Sequence, residues 1–327
     1  MNRRFRMAPI AAAAAAATLA LAACGASTEA SDGEDGAGSG FVHEDARGKT
    51  IELDGTPETV VAQASAAAAL WDNGFEVDGV YGDLPEPPNY LTGNLDVAET
   101  KVLGKAWGEF NVEEYAAMNP DLLIDMTFDG KNLWYASEVE KQIDKLAPTL
   151  AMPLTGLSVT EQIEAFQTLA EDLGADPETD EAKAEFEDAV ARIKAVVKKN
   201  PDLTVVAAST YGEEIYFANA PEHPDLAYLA ELGVKFPEVT PDEQGIFEPV
   251  SLENISKYHA DVLLIDARDP GGLDELKTKD IFKRLPAVAA GQQDLWYPAA
   301  PYSYQAYAEM FSGYAEQLEA AQVLEQS

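Results

Sequence analysis

The sequence predicts an α/β fold with two doubly wound lobes on either side of a single long helix. Short apolar strand patterns alternate with helical patterns in both halves of the chain, as in parallel sheets that helices cover on both faces. Between the halves, residues 180–199 carry apolar side chains at spacings of three and four. This predicts a helix of roughly 30 Å with one apolar stripe. We therefore expect an N-terminal lobe at 41–157, a helical connector at 158–200 and a C-terminal lobe with a terminal helix at 201–327.

The elements of the N-terminal lobe follow from apolar runs that end at turn residues and from helical patterns that start at a cap residue. Asn111 is such a cap, and Pro148 limits the last helix. Strands are predicted at 60–63, 77–81, 122–124 and 149–152, and helices at 65–73, 111–118 and 137–146.

The connector and the C-terminal lobe continue with the same signals. Residues 174–177, Gly-Ala-Asp-Pro, separate two connector helices, and Pro201 precedes a return to alternating strands and helices. The predicted connector helices are 160–173 and 180–199. In the C-terminal lobe, strands are predicted at 204–208, 215–218 and 262–265, and helices at 225–232, 251–258, 273–284 (in pieces) and 302–321.

One segment occurs in both lobes. Asn111-Val112-Glu113-Glu114 precedes the strand Asp121-Leu122-Leu123-Ile124, and Ser251-Leu252-Glu253-Asn254 precedes Asp261-Val262-Leu263-Leu264 at an offset of 140 residues. Each copy has a cap residue, a glutamate in the first helical turn and a buried strand after the same interval. Two copies in register indicate a repeated lobe.

The N-terminus reads as a secretory signal over residues 1–23. Arg3, Arg4 and Arg6 precede an alanine-rich run, and small residues lead to Cys24. Leu-Ala-Ala-Cys resembles a bacterial lipobox, in which the Cys24 thiol receives diacylglycerol; the alternative is an ordinary signal with an incidental cysteine. Cys24 is the single cysteine, so no intrachain disulfide forms. Residues 24–40 are small and polar, which predicts a flexible tether.

The charge of the chain is strongly acidic, with 22 basic and 58 acidic residues and a net charge of −36. Removal of the signal takes three arginines and no carboxylate, which gives −39. Nucleic acid is therefore excluded as an expected partner. The acidity is consistent with a cationic ligand, and equally with the solubility of an exported protein.

Several stretches, in order and spacing, resemble the ferric-siderophore and cobalamin class of substrate-binding lipoproteins that serve ABC importers. The matching stretches are 45–53, 57–61, 102–104, 111–125, 251–265 and 284–291. The resemblance spans nearly all of 41–321. It implies two α/β lobes joined by one rigid helix, 180–199, with a ligand cleft between them and little motion on binding. Residues 84–100, rich in Pro, Gly and Asn, depart from the family pattern and resemble an insertion.

The resemblance implies a monomeric receptor, lipid-anchored at the extracytoplasmic face of the cell membrane. It would capture a ferric siderophore and deliver it to an ABC permease, with no catalytic activity and no intrinsic cofactor. We expect a hydroxamate-type chelate, because the candidate cleft is aromatic and poor in the basic residues that tri-anionic catecholates favour. The alternatives are haem or cobalamin as the ligand, or an exported α/β enzyme using carboxylates such as Asp125, Asp129 and Asp266.

The candidate ligand site lies where strands end, because open α/β sheets bind ligands at the carboxyl ends of their strands. Aromatic side chains with polar tips dominate these segments, and they cover an organic chelate at small entropic cost. Arg268 either clamps a ligand oxygen or pairs with Asp266 or Asp269. The expected ligand-binding residues are Tyr81, Trp107, Trp134, Tyr135, Tyr211, Phe247, Arg268, Trp296, Tyr297, Tyr302 and Tyr304.

Glu113 and Glu253 have a separate expected role. The resemblance implies that a glutamate at the start of the equivalent helix on each lobe docks onto arginines of the permease, and Glu114 competes with Glu113 for this role. Both carboxylates also complement the positive ends of their helices. Direct metal binding is not expected, because the three histidines, His43, His223 and His259, are far apart in sequence.

Overall fold

The computed structural model describes residues 40–86, 88–211, 214–243, 245–268 and 270–325. The predicted signal, Cys24 and nearly all of the predicted tether lie outside the described residues. Within the described ranges, no helix has the length and apolar character needed to cross a bilayer.

The N-terminal lobe contains a five-stranded, fully parallel sheet in the order β5-β4-β3-β6-β7. A small antiparallel hairpin, β1 (Val42–Glu44) and β2 (Thr50–Glu52), precedes it. The remaining elements are β3 (Val60–Gln63), α1 (Ala64–Asp72), β4 (Gly79–Tyr81), β5 (Lys101–Val102), α2 (Val112–Ala117), β6 (Leu122–Thr127), α3 (Glu140–Ile143) and β7 (Thr149–Pro153).

Burial explains why these strands are continuous apolar runs. Every residue of β3, β4 and β6 is buried, as expected for a parallel sheet with both faces covered. Helix α1 begins where the Gln63 side chain accepts hydrogen bonds from the backbone N–H groups of Ser65 and Ala66. Helix α3 is shorter than the predicted 137–146 because its first residue has no side-chain cap and a turn follows Ile143.

The connector holds α4 (Val159–Asp172) and α5 (Asp180–Lys199), as the sequence predicts. A capping box between Ser158 and Glu161 starts α4. Helix α5 packs along the terminal helix α10 (Tyr304–Ala320). Phe186 and Ile193 of α5 are buried in this contact, and the Phe186 ring meets the Phe311 ring edge-on with centroids 5.3 Å apart.

The C-terminal lobe contains a mixed five-stranded sheet in the order β10-β9-β8-β11-β12. Its strands β8, β11 and β12 are parallel, whereas β8, β9 and β10 are antiparallel neighbours. The elements are β8 (Val205–Tyr211), β9 (Glu214–Ala218), α6 (Pro224–Glu231), β10 (Phe247–Ser251), β11 (Val262–Asp266), α7 (Pro270–Thr278), α8 (Asp280–Lys283), α9 (Pro286–Ala289), β12 (Gln293–Trp296) and α10.

Strand β12 and helix α9 were not predicted from the sequence, and two further features of this lobe differ from the prediction. Strand β10 was not predicted, because Glu248 and Pro249 interrupt its apolar pattern; the buried Glu248 carboxylate is bonded to Lys257 and Tyr258. The segment predicted as a helix at 251–258 is a 3₁₀ helix, Leu252–Lys257, interrupted at Asn254. The repeated segment is therefore α-helical in one lobe and 3₁₀-helical in the other.

The lobes are also tied at the end of α1. The Asp72 carboxylate accepts a hydrogen bond of 2.5 Å from Ser303, the cap of α10, and one of 2.8 Å from Asn94. Its backbone carbonyl accepts another from Gln305. Burial raises the pKa of Asp72, and these bonds lower it in part. One carboxylate thus joins α1, the 84–100 loop and the start of the terminal helix.

We predict that Phe311→Ala lowers the free energy of unfolding by about 3–5 kcal/mol, because it removes a fully buried ring from the contact between α5 and α10. Urea denaturation followed by circular dichroism measures this. The exposed Val323→Ala is the matched control, with an expected change within about 0.5 kcal/mol. Equal effects of the two substitutions would contradict the prediction.

Candidate ligand-binding cleft

Side chains that follow the carboxyl ends of the two sheets come close to each other between the lobes. Tyr135, which follows β6, belongs to the N-terminal lobe, and Arg268, which follows β11, belongs to the C-terminal lobe. Burial raises the pKa of the Tyr135 hydroxyl and the neighbouring Asp83 raises it further, whereas the Arg268 guanidinium lowers it. The two side chains are therefore close enough to interact electrostatically between lobes.

Three exposed aromatic rings form the wall on the N-terminal lobe. Trp134 lies between Trp107 and Phe128, with ring centroids 6.1 Å and 5.4 Å away. The three residues keep 41%, 52% and 36% of their surface exposed, respectively. Clustered exposed rings of this size are typical of a binding surface rather than of a general protein surface. We name this cluster the aromatic wall.

The loop that carries Trp134 and Phe128 is held by two carboxylates. Buried Asp125 accepts hydrogen bonds from the backbone N–H groups of Met126, Tyr135 and Ala136. Burial raises its pKa to about 6. Asp129 accepts from the N–H groups of residues 131 and 132, and these bonds lower its pKa to about 2. The rings are thus fixed before any ligand binds.

Arg268 forms the polar part of the opposite wall. Its Nε lies 3.0 Å from Asp266 Oδ1, and its Nη2 lies 2.6 Å from Asp266 Oδ2. Burial alone would lower the pKa of the guanidinium, but the bonds to Asp266 outweigh it and the pKa is raised. The Arg268 side chain keeps 41% of its surface exposed. The salt bridge expected from the sequence is present, together with a guanidinium accessible from the cleft.

A second aromatic group packs together in the C-terminal lobe. The His223 ring lies between Phe247 and Trp296, with centroids 5.0 Å and 4.8 Å away. Trp296 is fully buried and its indole N–H donates to Asp225 at 2.7 Å. Burial lowers the pKa of His223 to about 4 and raises that of Asp225 to about 6. Phe247 is half-buried at the edge of this group.

Four of the predicted ligand residues have buried side chains in the structure. Tyr81 is fully buried and contacts Phe110 edge-on, because the last residue of β4 points into the lobe. Trp296 binds Asp225 as described. Tyr302 stacks on Phe166, and Tyr304 packs against Phe186 beside the helical connector. An aromatic residue at a strand end is therefore not by itself evidence of a cleft position.

The remaining predicted residues have mixed positions. Trp107, Trp134, Tyr135, Arg268 and Tyr297 are exposed or half-buried beyond the carboxyl ends of strands, and Phe247 is half-buried at the start of β10. The side chain of Tyr211, at the end of β8, lies outside the described part of the structure. Glu113 and Glu253 are both exposed, whereas Glu114 forms an ion pair with Lys101.

Sequence reasoning missed Asp83 and Tyr90. The Asp83 carboxylate accepts a 3.0 Å hydrogen bond from the Tyr135 hydroxyl. Tyr90, from the atypical 84–100 loop, donates to the Pro298 carbonyl of the other lobe at 2.9 Å, and its ring lies 5.1 Å from that of Tyr297. Asp83 follows β4 directly and could have been found from its position, whereas nothing local distinguishes Tyr90.

A cavity of about 600 Å³ lies beside Tyr90 and Tyr297. It is bounded by the end of α1, the 84–100 loop and the outer face of α10. Its remaining lining residues are Asp72, Asn89, Gly93, Asn94, Ala300, Gln305, Ala306, Glu309, Met310, Ser312, Gly313 and Glu316. Across the described ranges of the chain, no three of His, Cys, Asp and Glu come together to hold a metal ion.

A family model described as periplasmic binding protein matches residues 58–293. The chain belongs to this family. The match confirms the fold that the resemblance implied, with two α/β lobes. The family and its structural neighbours are solute-binding proteins rather than enzymes.

Three relatives extend this comparison. DesE, a ferric-siderophore receptor protein from Streptomyces coelicolor, is 37% identical with a TM-score of 0.80, covering 86% of this chain and 99% of DesE. The Fe(3+)-citrate-binding protein YfmC of Bacillus subtilis is 27% identical over 261 residues, which is 77% of this chain and 78% of YfmC. The iron(3+)-hydroxamate-binding protein FhuD of the same organism is 27% identical over 188 residues, 55% of this chain and 56% of FhuD.

We predict that His223 makes stability dependent on pH. Its pKa in the fold, about 4, is below the ordinary value of 6.5, so the unfolded chain takes up the proton first as the pH falls. The contribution of neutral His223 to the free energy of unfolding is complete above pH 6.5 and is lost as the pH falls towards 4.

Urea denaturation of the native protein and of His223→Gln at pH 7 and pH 5 tests this. The stability difference should shift in favour of the variant at pH 5. The raised pKa values of Asp125 and Asp225 act in the opposite direction, but they act in both proteins and cancel in the comparison. A pH-independent difference would contradict the prediction.

Proposed function

We propose that this protein is the extracytoplasmic receptor of an ABC importer and captures a ferric siderophore between its two lobes. The observation that carries the proposal is the pair of surfaces at the strand ends, an exposed aromatic wall on one lobe and a partly exposed arginine on the other, with Tyr135 close enough to Arg268 to interact with it. Iron in such a ligand is already coordinated by the chelator, so the protein supplies shape, ring contacts and a few hydrogen bonds. This site needs no protein ligand to the metal.

Relatives support the same class of ligand. DesE is a ferric-siderophore receptor by name, and FhuD and YfmC are named for ferric hydroxamate and ferric citrate. We favour a hydroxamate-type chelate, because the described cleft offers one arginine and several rings rather than a set of basic side chains. Haem or cobalamin is the alternative ligand, and absorption of the bound cofactor would reveal it.

A lipid anchor at Cys24 is part of the proposal. The basic head, alanine-rich run and Leu-Ala-Ala-Cys sequence support export and lipidation of a monomeric receptor. A flexible tether over 24–40 has an rms reach of about 20–25 Å. This distance keeps the receptor near the membrane and raises its effective concentration at the permease.

The docking surface is proposed to include one glutamate from each lobe. Glu113 lies in the first turn of α2 and Glu253 in the first turn of the 3₁₀ helix, and both are exposed. Because Glu114 is paired with Lys101, Glu113 is the better candidate on the first lobe. Arginines on the permease would be the partners.

We predict that Trp134→Ala weakens binding of ferrichrome, a ferric tris-hydroxamate, about tenfold, because Trp134 is the central ring of the aromatic wall. Isothermal titration calorimetry measures the affinity, because it does not depend on the fluorescence of the tryptophan that the substitution removes. The matched control is Leu146→Ala, an exposed apolar residue at the amino-terminal end of β7.

A panel of ferric chelates, haem, cobalamin and free metals tests the proposed function as a whole. Binding of free zinc or manganese alone would overturn it.

We predict that the double substitution Glu113→Ala and Glu253→Ala leaves ferrichrome affinity unchanged and reduces cellular iron uptake. Both carboxylates are exposed and neither belongs to the cleft walls described above. Substitution of Glu109 and Glu222, which are also exposed, is the control for lost surface charge. Loss of ligand affinity with normal uptake per bound ligand would refute the docking role.

A further inference from the structure

Asp266 holds the cleft arginine in place in the free protein. Its carboxylate accepts from the Arg268 backbone N–H at 2.9 Å and from the guanidinium through Nε and Nη2. The Ser209 hydroxyl donates to Asp266 Oδ2 at 2.5 Å from the neighbouring strand β8. Only 5% of the Asp266 side chain is exposed, so the carboxylate is anchored from three directions.

The same tripeptide occurs at the first hairpin and shows that the turn forms without a ligand. In Asp45-Ala46-Arg47, the Arg47 N–H also donates to its aspartate at 2.9 Å, and its Nε donates at 2.7 Å. There the guanidinium is almost buried and also bonds Glu140 and Thr149. The tripeptide that begins at Asp266 differs, because the outer edge of the Arg268 guanidinium is exposed.

The exposed edge of the Arg268 guanidinium can donate hydrogen bonds, while the Asp266 carboxylate already compensates its positive charge. An arginine has five N–H groups, and Asp266 takes those of Nε and one of Nη2. Nη1 donates to none of the residues that the structure describes. A ligand oxygen can therefore bind Arg268 without displacing Asp266. An anionic ligand gains little, because the Asp266 carboxylate is adjacent and Asp83 lies on the opposite wall.

We propose that Asp266 is the charge-selecting residue of the cleft: by occupying Arg268, it favours neutral or cationic ferric chelates and disfavours anionic ones. This inference deepens the proposed function and rests on it. Without the Asp266 charge, Arg268 becomes an uncompensated cation facing the ligand. The preference against anions should then weaken, and a neutral chelate, which uses Arg268 only as a donor, reports separately how far the arginine itself has been disturbed.

The experiment compares the native protein with Asp266→Asn by calorimetry at low ionic strength. The probes are ferrichrome, which is neutral, and the trianionic ferric complex of enterobactin. We expect the ratio of affinities, trianion over ferrichrome, to rise about tenfold or more in the variant, as removal of one nearby charge predicts. Asp266→Ser is the second variant and serves if the asparagine protein does not fold.

Two controls remove one carboxylate elsewhere. Asp202→Asn, an exposed residue at the amino-terminal end of β8, should change neither affinity. Asp83→Asn removes an equal charge from the opposite wall and leaves the Asp266 bridge intact, so its gain should be clearly smaller. An equal gain in Asp83→Asn, or an unchanged affinity ratio in both Asp266 variants, would overturn the role of Asp266. Failure of the native protein to bind any ferric chelate would instead overturn the proposed function, and this inference with it.

Discussion

The contact between α5 and α10 is the constraint on which the rest of the structure depends. Phe186 and Phe311 meet at its centre, and Tyr302 and Tyr304 continue it towards both lobes. Each sheet has its own core, but the distance between their carboxyl ends is set where these helices pack. A cleft that relies on facing walls needs such a rigid joint, because the walls bind a ligand only at a fixed separation.

Polar groups fix the walls as apolar packing fixes the lobes. Asp125 and Asp129 hold the loop of the aromatic wall through backbone N–H groups, and Asp266 holds Arg268. These carboxylates bond groups of the protein itself and therefore do not depend on the ligand. The abundance of acidic residues in this chain thus has a structural use at the cleft, beyond solubility.

The sequence predicts the fold well and the site only in part, for physical reasons. Buried strands such as β3 and β6 are continuous apolar runs, so local composition reports them directly. Strand β10 was missed because Glu248 and Pro249 interrupt its apolar pattern, and the bonds of the buried Glu248 to Lys257 and Tyr258 are not visible in that pattern. Trp134 and Trp296 have similar local signals, yet one is exposed and one is buried. Their difference depends on Asp225 and on packing between elements, which no local pattern contains.

The ties between Asp72 and Ser303 and between Tyr90 and Pro298 have a kinetic consequence. Both hydrogen bonds cross between the lobes outside the α5 and α10 contact, so hinge opening must break them together with their neighbours. A ligand that enters without hinge opening does not wait for a conformational step, and its association can be fast. Any release that requires the two lobes to separate must supply the work that breaks these hydrogen bonds.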